Sequence, residues 1–364
     1  MIYGGGMAGT FLAKKLCKDF AVTLVDSNEY FEIPMATPRS IVEPNFAEQA
    51  MIPFSQTLPQ AKHLQGKLLE LKPDYTGIVR LKTGKEITLT ADITVLATGS
   101  HFSNTLVRGQ DQTKQERQAF YQTFSRAIQQ AHNILLVGGG PIGVELAGEI
   151  NDLYPSKSIT MIESQQRLVM GTSAKVSAYI EKDFKRRGIQ VLTNTQLIQA
   201  SHAKNIVCTE AGSATTADGQ KISYDLLIWC IGGRANTSYL QANFADLLNE
   251  RAQVQVENTL QVKDHPRVFA LGDITDLAEN KMAWHINGQI PVAAHNIRCL
   301  LKDKADAFKT YKAKTNNPMM AITLGRHKGV VYLPIIGMIN SPLLTRIAKA
   351  NHMLVPKYRK ELGL

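Results

Sequence analysis

A glycine run of fixed spacing, set between an apolar strand and a helix, occurs twice in this 364-residue chain and constrains its fold more than any other feature. The chain opens MIYGGGMAGTFLAKKL and continues AVTLVDS, so a short apolar strand runs into Gly4-x-Gly6-x-x-Gly9, then a helix, then a strand ending at Asp26. The first glycine of such a run makes a tight turn, the second admits a pyrophosphate to the backbone, and the third lets helix and strand pack closely. The helix N-terminus then presents about half a positive charge to the phosphates. The whole turn, with Gly5, Met7 and Ala8 between the fingerprint glycines, is a candidate cofactor contact, and Asp26 is placed to accept from a ribose diol.

The second copy reads NILLVGGGPIGVELAGEI. Gly138, Gly140 and Gly143 carry the spacing, and Pro141 suits a first helical position. The next strand, SITMIES, ends at Glu163. A carboxylate about 4 Å from a 2′-phosphate costs roughly 4 kcal/mol at an effective dielectric of 20. Glu163 therefore favours NADH, with NADPH less favoured, and nearby Arg167 softens the preference. Three further apolar runs stop at glycine: ITVLATGS at Thr98-Gly99, DLLIWCIGG at Gly232-Gly233, and RVFALGD at Gly272-Asp273. Backbone crosses close to a nucleotide at such strand ends, and Asp273 is placed to hold a ribityl hydroxyl.

Composition removes several alternatives. Apolar residues make up 44 % of the chain, as in proteins with large cores, and no apolar run reaches membrane-span length. No secretory leader precedes the first fingerprint, so the chain reads as cytoplasmic. Cys17, Cys208, Cys230 and Cys299 form no CxxC or C-x4-C pair, which argues against a dithiol centre on one loop. The net charge of +10 is concentrated: residues 302–364 hold twelve Lys and Arg against three acids. That segment is a basic module on a near-neutral body.

The motifs Gly4-Gly6-Gly9, LATG at 96–99, the second fingerprint and ALGD at 270–273 resemble the two-dinucleotide-domain flavoproteins of the pyridine nucleotide-disulfide oxidoreductase superfamily. With GVELAGEI, NKMAWHINGQ and TLGRHKGVV, the chain looks most like the branch of apoptosis-inducing-factor-like and ferroptosis suppressor proteins, with type II NADH dehydrogenases more distant. The resemblance covers nearly the whole chain. It implies an α/β fold of two Rossmann-like domains with a small α+β C-terminal module. The expected division is an FAD domain at 1–104 and 234–301, an NAD(P)H domain at 105–233, and a basic module at 302–364.

Hydride transfer needs positioning more than acid–base help. The resemblance implies a glutamate near the nicotinamide; that residue is Glu145, read as lying in the first turn of the second fingerprint helix, where the dipole alone also favours an acid. Lys281, Met282 and Ala283 read as a helix start whose N–H groups face the flavin pyrimidine. The resemblance assigns Arg39 to an FAD contact, against the reading of an exposed loop cation, and Leu68 to an adenine clamp. It also implies a quinone acceptor. Quinone reduction consumes protons, and His285, Gln289 and His327 are candidate relays, each against an ordinary polar role.

The tail SPLLTRIAKANHMLVPKYRKELGL reads as an interfacial helix with Leu343, Leu344, Ile347 and Leu354 on one face, Arg346 and Lys349 lateral, and Pro356 as its stop. It suits a peripheral membrane surface; the alternative is that the apolar face packs on the body. Three departures from the family pattern stand out. Only three residues precede Gly4, so the strand is frayed or starts upstream. Ile2 replaces the glycine of a lipidation signal, and Phe31-Glu32-Ile33 replaces a histidine pair of some relatives. Two other readings remain: a reductase of a small protein such as ferredoxin docked on the tail, and a nucleotide sensor or nucleic-acid binder. Nucleic acid is not expected, because the tail has few aromatics for base stacking.

Overall fold

The computed structural model describes residues 1–101, 112–200, 210–314 and 319–364. Its largest sheet has eight strands among these residues, in the order Gln261–Val262, His265–Ala270, Thr94–Leu96, Ile2–Tyr3, Thr23–Asp26, Lys62–Leu71, Gly77–Leu81 and Glu86–Leu89. The run from His265–Ala270 to Lys62–Leu71 is parallel throughout, and antiparallel strands flank it. Ile2–Tyr3 is short, yet it is not frayed: it lies in mid-sheet, paired with Thr23–Asp26 and Thr94–Leu96, and both residues are buried.

After Ser100–His101 the chain builds a second parallel sheet, ordered Gln190–Leu192, Ser158–Ile162, Asn133–Val137 and Leu226–Trp229. It then returns through Arg234–Ala235, which pairs antiparallel with Ser100–His101. Both crossings therefore lie side by side, and His265–Ala270 rejoins the first sheet beside Thr94–Leu96. The strand before the second segment and the strand after it are neighbours, so one sheet is interrupted in sequence but continuous in space.

The two fingerprints fold alike. Gly4 has φ +102° and Gly138 φ +112°, a backbone state that L side chains rarely adopt. A Cβ on Gly9 would lie 1.8 Å from Gly4 O, and one on Gly143 2.1 Å from Gly138 O, so each helix is seated directly on its turn. The helices span Met7–Leu16 and Pro141–Leu153, with Pro141 at the first position as the sequence suggests.

Residues 302–364 are not a separate appendage. The antiparallel strands Met320–Thr323, Gly329–Leu333 and Gly337–Ile339 place Met320, Ile322, Leu324 and Val330 in the core of the second sheet. Met353, Val355, Tyr358 and Leu362 join the core of the first sheet. The tail is also not one helix. A short helix Pro342–Thr345 continues into a π-helical turn Arg346–Ala350, left-handed Met353 and Leu354 break it, and a second helix Val355–Leu362 follows. Pro356 sits in the first turn of that second helix, where a missing N–H costs nothing, instead of stopping the first.

Replacing Gly4 with Ala forces a Cβ to within 2.3 Å of Ala97 O at a positive φ. Steric strain at such a position is expected to cost more than about 1 kcal/mol, seen as a lowered thermal midpoint, whereas Gly84→Ala, whose Cβ meets nothing within 4 Å, pays only the φ term.

Candidate functional site

The strand-end acids settle against their glycine turns in the same way. Asp26 Oδ2 accepts from Gly5 N at 2.5 Å and Oδ1 from Asn28 N at 2.8 Å. Glu163 Oε2 accepts from Gly139 N at 2.7 Å and Oε1 from Gln165 N at 2.8 Å. Each carboxylate is thus held by two backbone donors, one from the turn and one from two residues ahead, and Ser164 Oγ adds a further bond to Glu163 Oε1 at 3.2 Å. Among the described residues no side chain caps either fingerprint helix, and neither has an acid in its first turn. Both N-termini keep their donors for an external anion.

Further residues converge on the first turn. Gly4 lies against Ala97 and Thr98, and Gly272 lies against Ala8. Thr98 Oγ donates to Asn236 O at 2.7 Å, while Gly99 O accepts from Asn236 N at 2.9 Å, tying the outgoing crossing to the returning one. Gly272 N donates to Gln289 Oε1 at 2.8 Å, and Ser100 Oγ donates to Asp273 Oδ2 at 2.8 Å. The helix after this turn begins at Ala283 with Met282 as its N-cap residue; Lys281 Nζ donates to Thr275 O and Leu277 O at 2.7 and 3.2 Å. Gly4, Gly5, Gly6, Met7, Ala8, Gly9, Asp26, Thr98, Gly99, Gly272, Asp273, Lys281, Met282 and Ala283 therefore surround the carboxyl ends of the first sheet, where open α/β sheets bind their ligands. Gly138, Gly140, Gly143 and Glu163 do the same on the second sheet, with Cys230 against Gly138. Gly232 and Gly233 are exposed on the returning loop. Leu68 is buried and paired with Val79 inside its strand.

Two readings change. Glu145 is the fifth residue of its helix, in the second turn and not the first, so the dipole does not explain it. It is 5 % exposed, and its Oε1 accepts from Thr323 N at 2.9 Å, from Thr323 Oγ at 3.2 Å, and from the Lys349 ammonium. Lys349, placed laterally by the helical reading of the tail, is 6 % exposed and also donates to Ala321 O at 3.2 Å. The π-helical turn around it removes the regular spacing on which that reading relied. Arg39 is not an exposed loop cation. It is buried, with Nε and Nη2 donating to Glu149 at 3.0 and 2.8 Å and Nη1 to Asn351 O at 3.1 Å. Desolvation pushes the Glu149 carboxyl up from its ordinary range, against the pull of Arg39. Glu145 and Glu149 lie one helical turn apart, and each takes a cation from outside the second fingerprint segment. That i, i+4 spacing is the signal by which Glu149 was legible and missed.

Of the candidate relays, His327 is exposed in the turn between Met320–Thr323 and Gly329–Leu333, whereas His285 and Gln289 are buried beside Gly272. Glu32, in the segment that replaces a histidine pair, accepts from Arg117 Nε at 3.3 Å and from the Tyr121 hydroxyl. Cys17, Cys230 and Cys299 are unpaired thiols, and burial pushes Cys230 up to about 12; Cys208 and the expected boundary at 104–105 lie outside the described residues.

Removing one partner of a buried ion pair leaves an uncompensated charge and costs about 3–5 kcal/mol. Arg39→Ala is therefore expected to lower the thermal midpoint by several degrees, while Arg39→Met combined with Glu149→Leu recovers most of the loss in the same differential scanning fluorimetry series.

Residues 1–296 match the family described as pyridine nucleotide-disulphide oxidoreductase. The chain is 30 % identical over 382 residues to apoptosis-inducing factor homolog B of Dictyostelium discoideum, covering 100 % of this chain and 96 % of that protein. It is 29 % identical over 366 residues to ferroptosis suppressor protein 1 of Taeniopygia guttata, covering 100 % and 95 %. The fold is shared with NDH2 from Plasmodium falciparum in complex with NADH, at a TM-score of 0.77 and 16 % identity, covering 95 % of this chain and 92 % of that one. The glycine turns, uncapped helix ends and pinned acids fit two dinucleotides, and the chain belongs to the pyridine nucleotide-disulphide oxidoreductase family as an FAD-dependent NAD(P)H oxidoreductase.

Proposed function

We propose that this chain is an NADH:quinone oxidoreductase that works against an anionic membrane surface. The observation that carries the reading is the pair of equivalent glycine turns, each with a free helix N-terminus and a pinned strand-end carboxylate. The first turn, with Thr98, Gly99, Gly272, Asp273 and Lys281 to Ala283, would hold FAD in a domain of residues 1–104 and 234–301. The second, with Glu163 on the adenosine ribose and the Gly232-Gly233 loop beside it, would hold NADH in residues 105–233. Bound FAD supplies a ring that accepts a hydride and passes on two electrons.

Around that ring the protein positions and excludes water. Thr323 and Lys349 hold the Glu145 carboxylate in one rotamer on the second fingerprint helix, where it would orient the nicotinamide. Arg39 no longer needs a cofactor contact to be important: with Glu149 and Asn351 it fixes the first segment to the second helix and to the tail. Leu68 is retained as an adenine contact through its backbone.

Quinone as acceptor is supported by relatives and by the tail. One solved structure sharing the fold is the sulfide:quinone oxidoreductase of Aquifex aeolicus, with a TM-score of 0.77 and 16 % identity over 99 % of this chain and 90 % of that one. In the tail, Ile335 and Ile336 at the hairpin tip are 98 % and 70 % exposed, and Leu343, Leu344 and Ile347 are 65, 50 and 64 % exposed. Lys357, Arg359 and Lys360 follow on the last helix. Cations near an anionic lipid surface contribute about 1 kcal/mol each, and exposed apolar side chains add the gain of leaving water. An acidic protein partner would match the charge but leave Ile335 and Ile336 unexplained. Among the described residues no helix is long and apolar enough to cross a membrane.

Glu145→Ala is expected to slow flavin reduction by NADH at least tenfold in anaerobic stopped flow, and an unchanged rate removes Glu145 from the site. Ile335→Asp with Ile336→Asp, both on the surface, should cut sedimentation with phosphatidylserine vesicles severalfold while leaving the thermal midpoint in place. Unchanged sedimentation would mean that lipid is not what this face meets.

A further inference from the structure

Behind the Gly272-Asp273 turn lies a buried cluster of titratable side chains, one of which, His285, has no hydrogen-bond partner among the described residues. Glu279, whose side chain is 2 % exposed, is its centre. Its Oε1 accepts from Gln289 Nε2 at 2.8 Å; its Oε2 accepts from the Tyr311 hydroxyl at 2.7 Å and from Lys314 N at 3.1 Å. Gln289 in turn accepts from Gly272 N, so one amide links the turn to the carboxylate and its orientation is fixed at both ends. His285 Nδ1 lies 3.3 Å from Glu279 Oε2, but neither ring nitrogen makes a hydrogen bond, although the residue is only 3 % exposed. Such a buried, unsatisfied imidazole costs free energy unless it has another use. His285, Glu279 and Gln289 line the same recess as Gly272, Asp273, Lys281 and Met282, the residues assigned above to the flavin.

We propose that His285, backed by Glu279, delivers the proton that quinone reduction takes from solvent. This rests on the quinone reading above. The overall reaction, NADH + H⁺ + quinone → NAD⁺ + hydroquinone, moves an electron pair and one proton as hydride and requires one more proton. Nδ1 faces Glu279, so the proton enters at Nε2, is held while the imidazolium is paired with the carboxylate, and leaves from Nε2 to a quinone oxygen as that oxygen gains the electron pair. The neighbours suit a group that changes charge. Burial is the largest influence and lowers the His285 pKa below its ordinary value, Glu279 raises it, and Lys314 and Lys281 lower it again. Tyr311, facing Glu279, is itself pushed up by burial and by that carboxylate, so it stays a donor to Glu279. Asp273, on the same recess, accepts from Ser100 Oγ at 2.8 Å, and its charge acts on Lys281. Burial therefore disfavours the imidazolium, and added negative charge in the recess is what favours it.

The test uses the FAD-loaded enzyme with two acceptors: a short-chain ubiquinone, which needs the proton, and hexacyanoferrate(III), which takes electrons alone. His285→Leu is expected to lower the ratio of quinone to hexacyanoferrate turnover at least tenfold. Glu279→Gln should lower it in the same direction. In the unmodified holoenzyme, ¹⁵N-histidine NMR should show His285 as neutral imidazole when oxidised and as imidazolium after anaerobic reduction, the resonance being assigned by its loss in His285→Leu. An unchanged ratio, a parallel fall with both acceptors, or a His285 signal that is the same in both redox states overturns the relay. An unmodified enzyme that turns over hexacyanoferrate but no quinone overturns the acceptor reading and the relay with it.

Discussion

The arrangement rests on one repeated contact: a carboxylate at a strand end accepting the N–H of the second residue of a glycine turn. Asp26 with Gly5 and Glu163 with Gly139 make it at 2.5 and 2.7 Å. A charge-assisted bond of this kind is stronger than a neutral one, and it closes a turn whose positive-φ glycine has no side chain to stabilise it. Once closed, the turn aims the following helix, and the uncapped helix end faces the opening between strand and acid. That closure leaves each helix N-terminus open to an anion, twice in one chain.

Buried ion pairs on the second fingerprint helix add charged ties to the apolar packing that joins it to the first segment and to the tail. Glu145 takes Lys349 and Glu149 takes Arg39, one turn apart on the same helix. Arg187, bonded to Gly148 O and Asp152 within the second unit at 3.0 and 2.6 Å, adds a tie to the tail through Leu324 O at 2.6 Å. Such pairs contribute little net stability over apolar packing, but they penalise misplacement strongly, because a displaced partner leaves a charge in a dry site. Two rings that must meet within van der Waals distance need that kind of intolerance more than extra stability.

Much of this was legible in the sequence. The glycine spacing, the strand before each run and the acid after it set the parallel centre of each sheet, because the turn geometry is local and leaves few residue choices. The tail was read less well. Its apolar residues fit a single helical wheel, whereas left-handed Met353 and Leu354 split it and send Val355, Tyr358 and Leu362 into the first core. Nothing in the residue types announces that break. The partners of Lys349 and Arg39 are not legible for a related reason: a cation's partner, 204 or 110 residues away, is a matter of tertiary packing that no local pattern records. Glu279 escaped notice altogether, although His285 and Gln289 beside it were singled out.

The central claim is that the two turns bring one flavin and one nicotinamide together. An anaerobic titration of the purified protein with NADH, followed by visible absorbance, tests it directly. The account predicts a yellow protein with one FAD per chain, bleached by a single equivalent of NADH and recoloured when a short-chain quinone is added. A colourless preparation that takes up no FAD, or a bound flavin that NADH leaves oxidised, would contradict it.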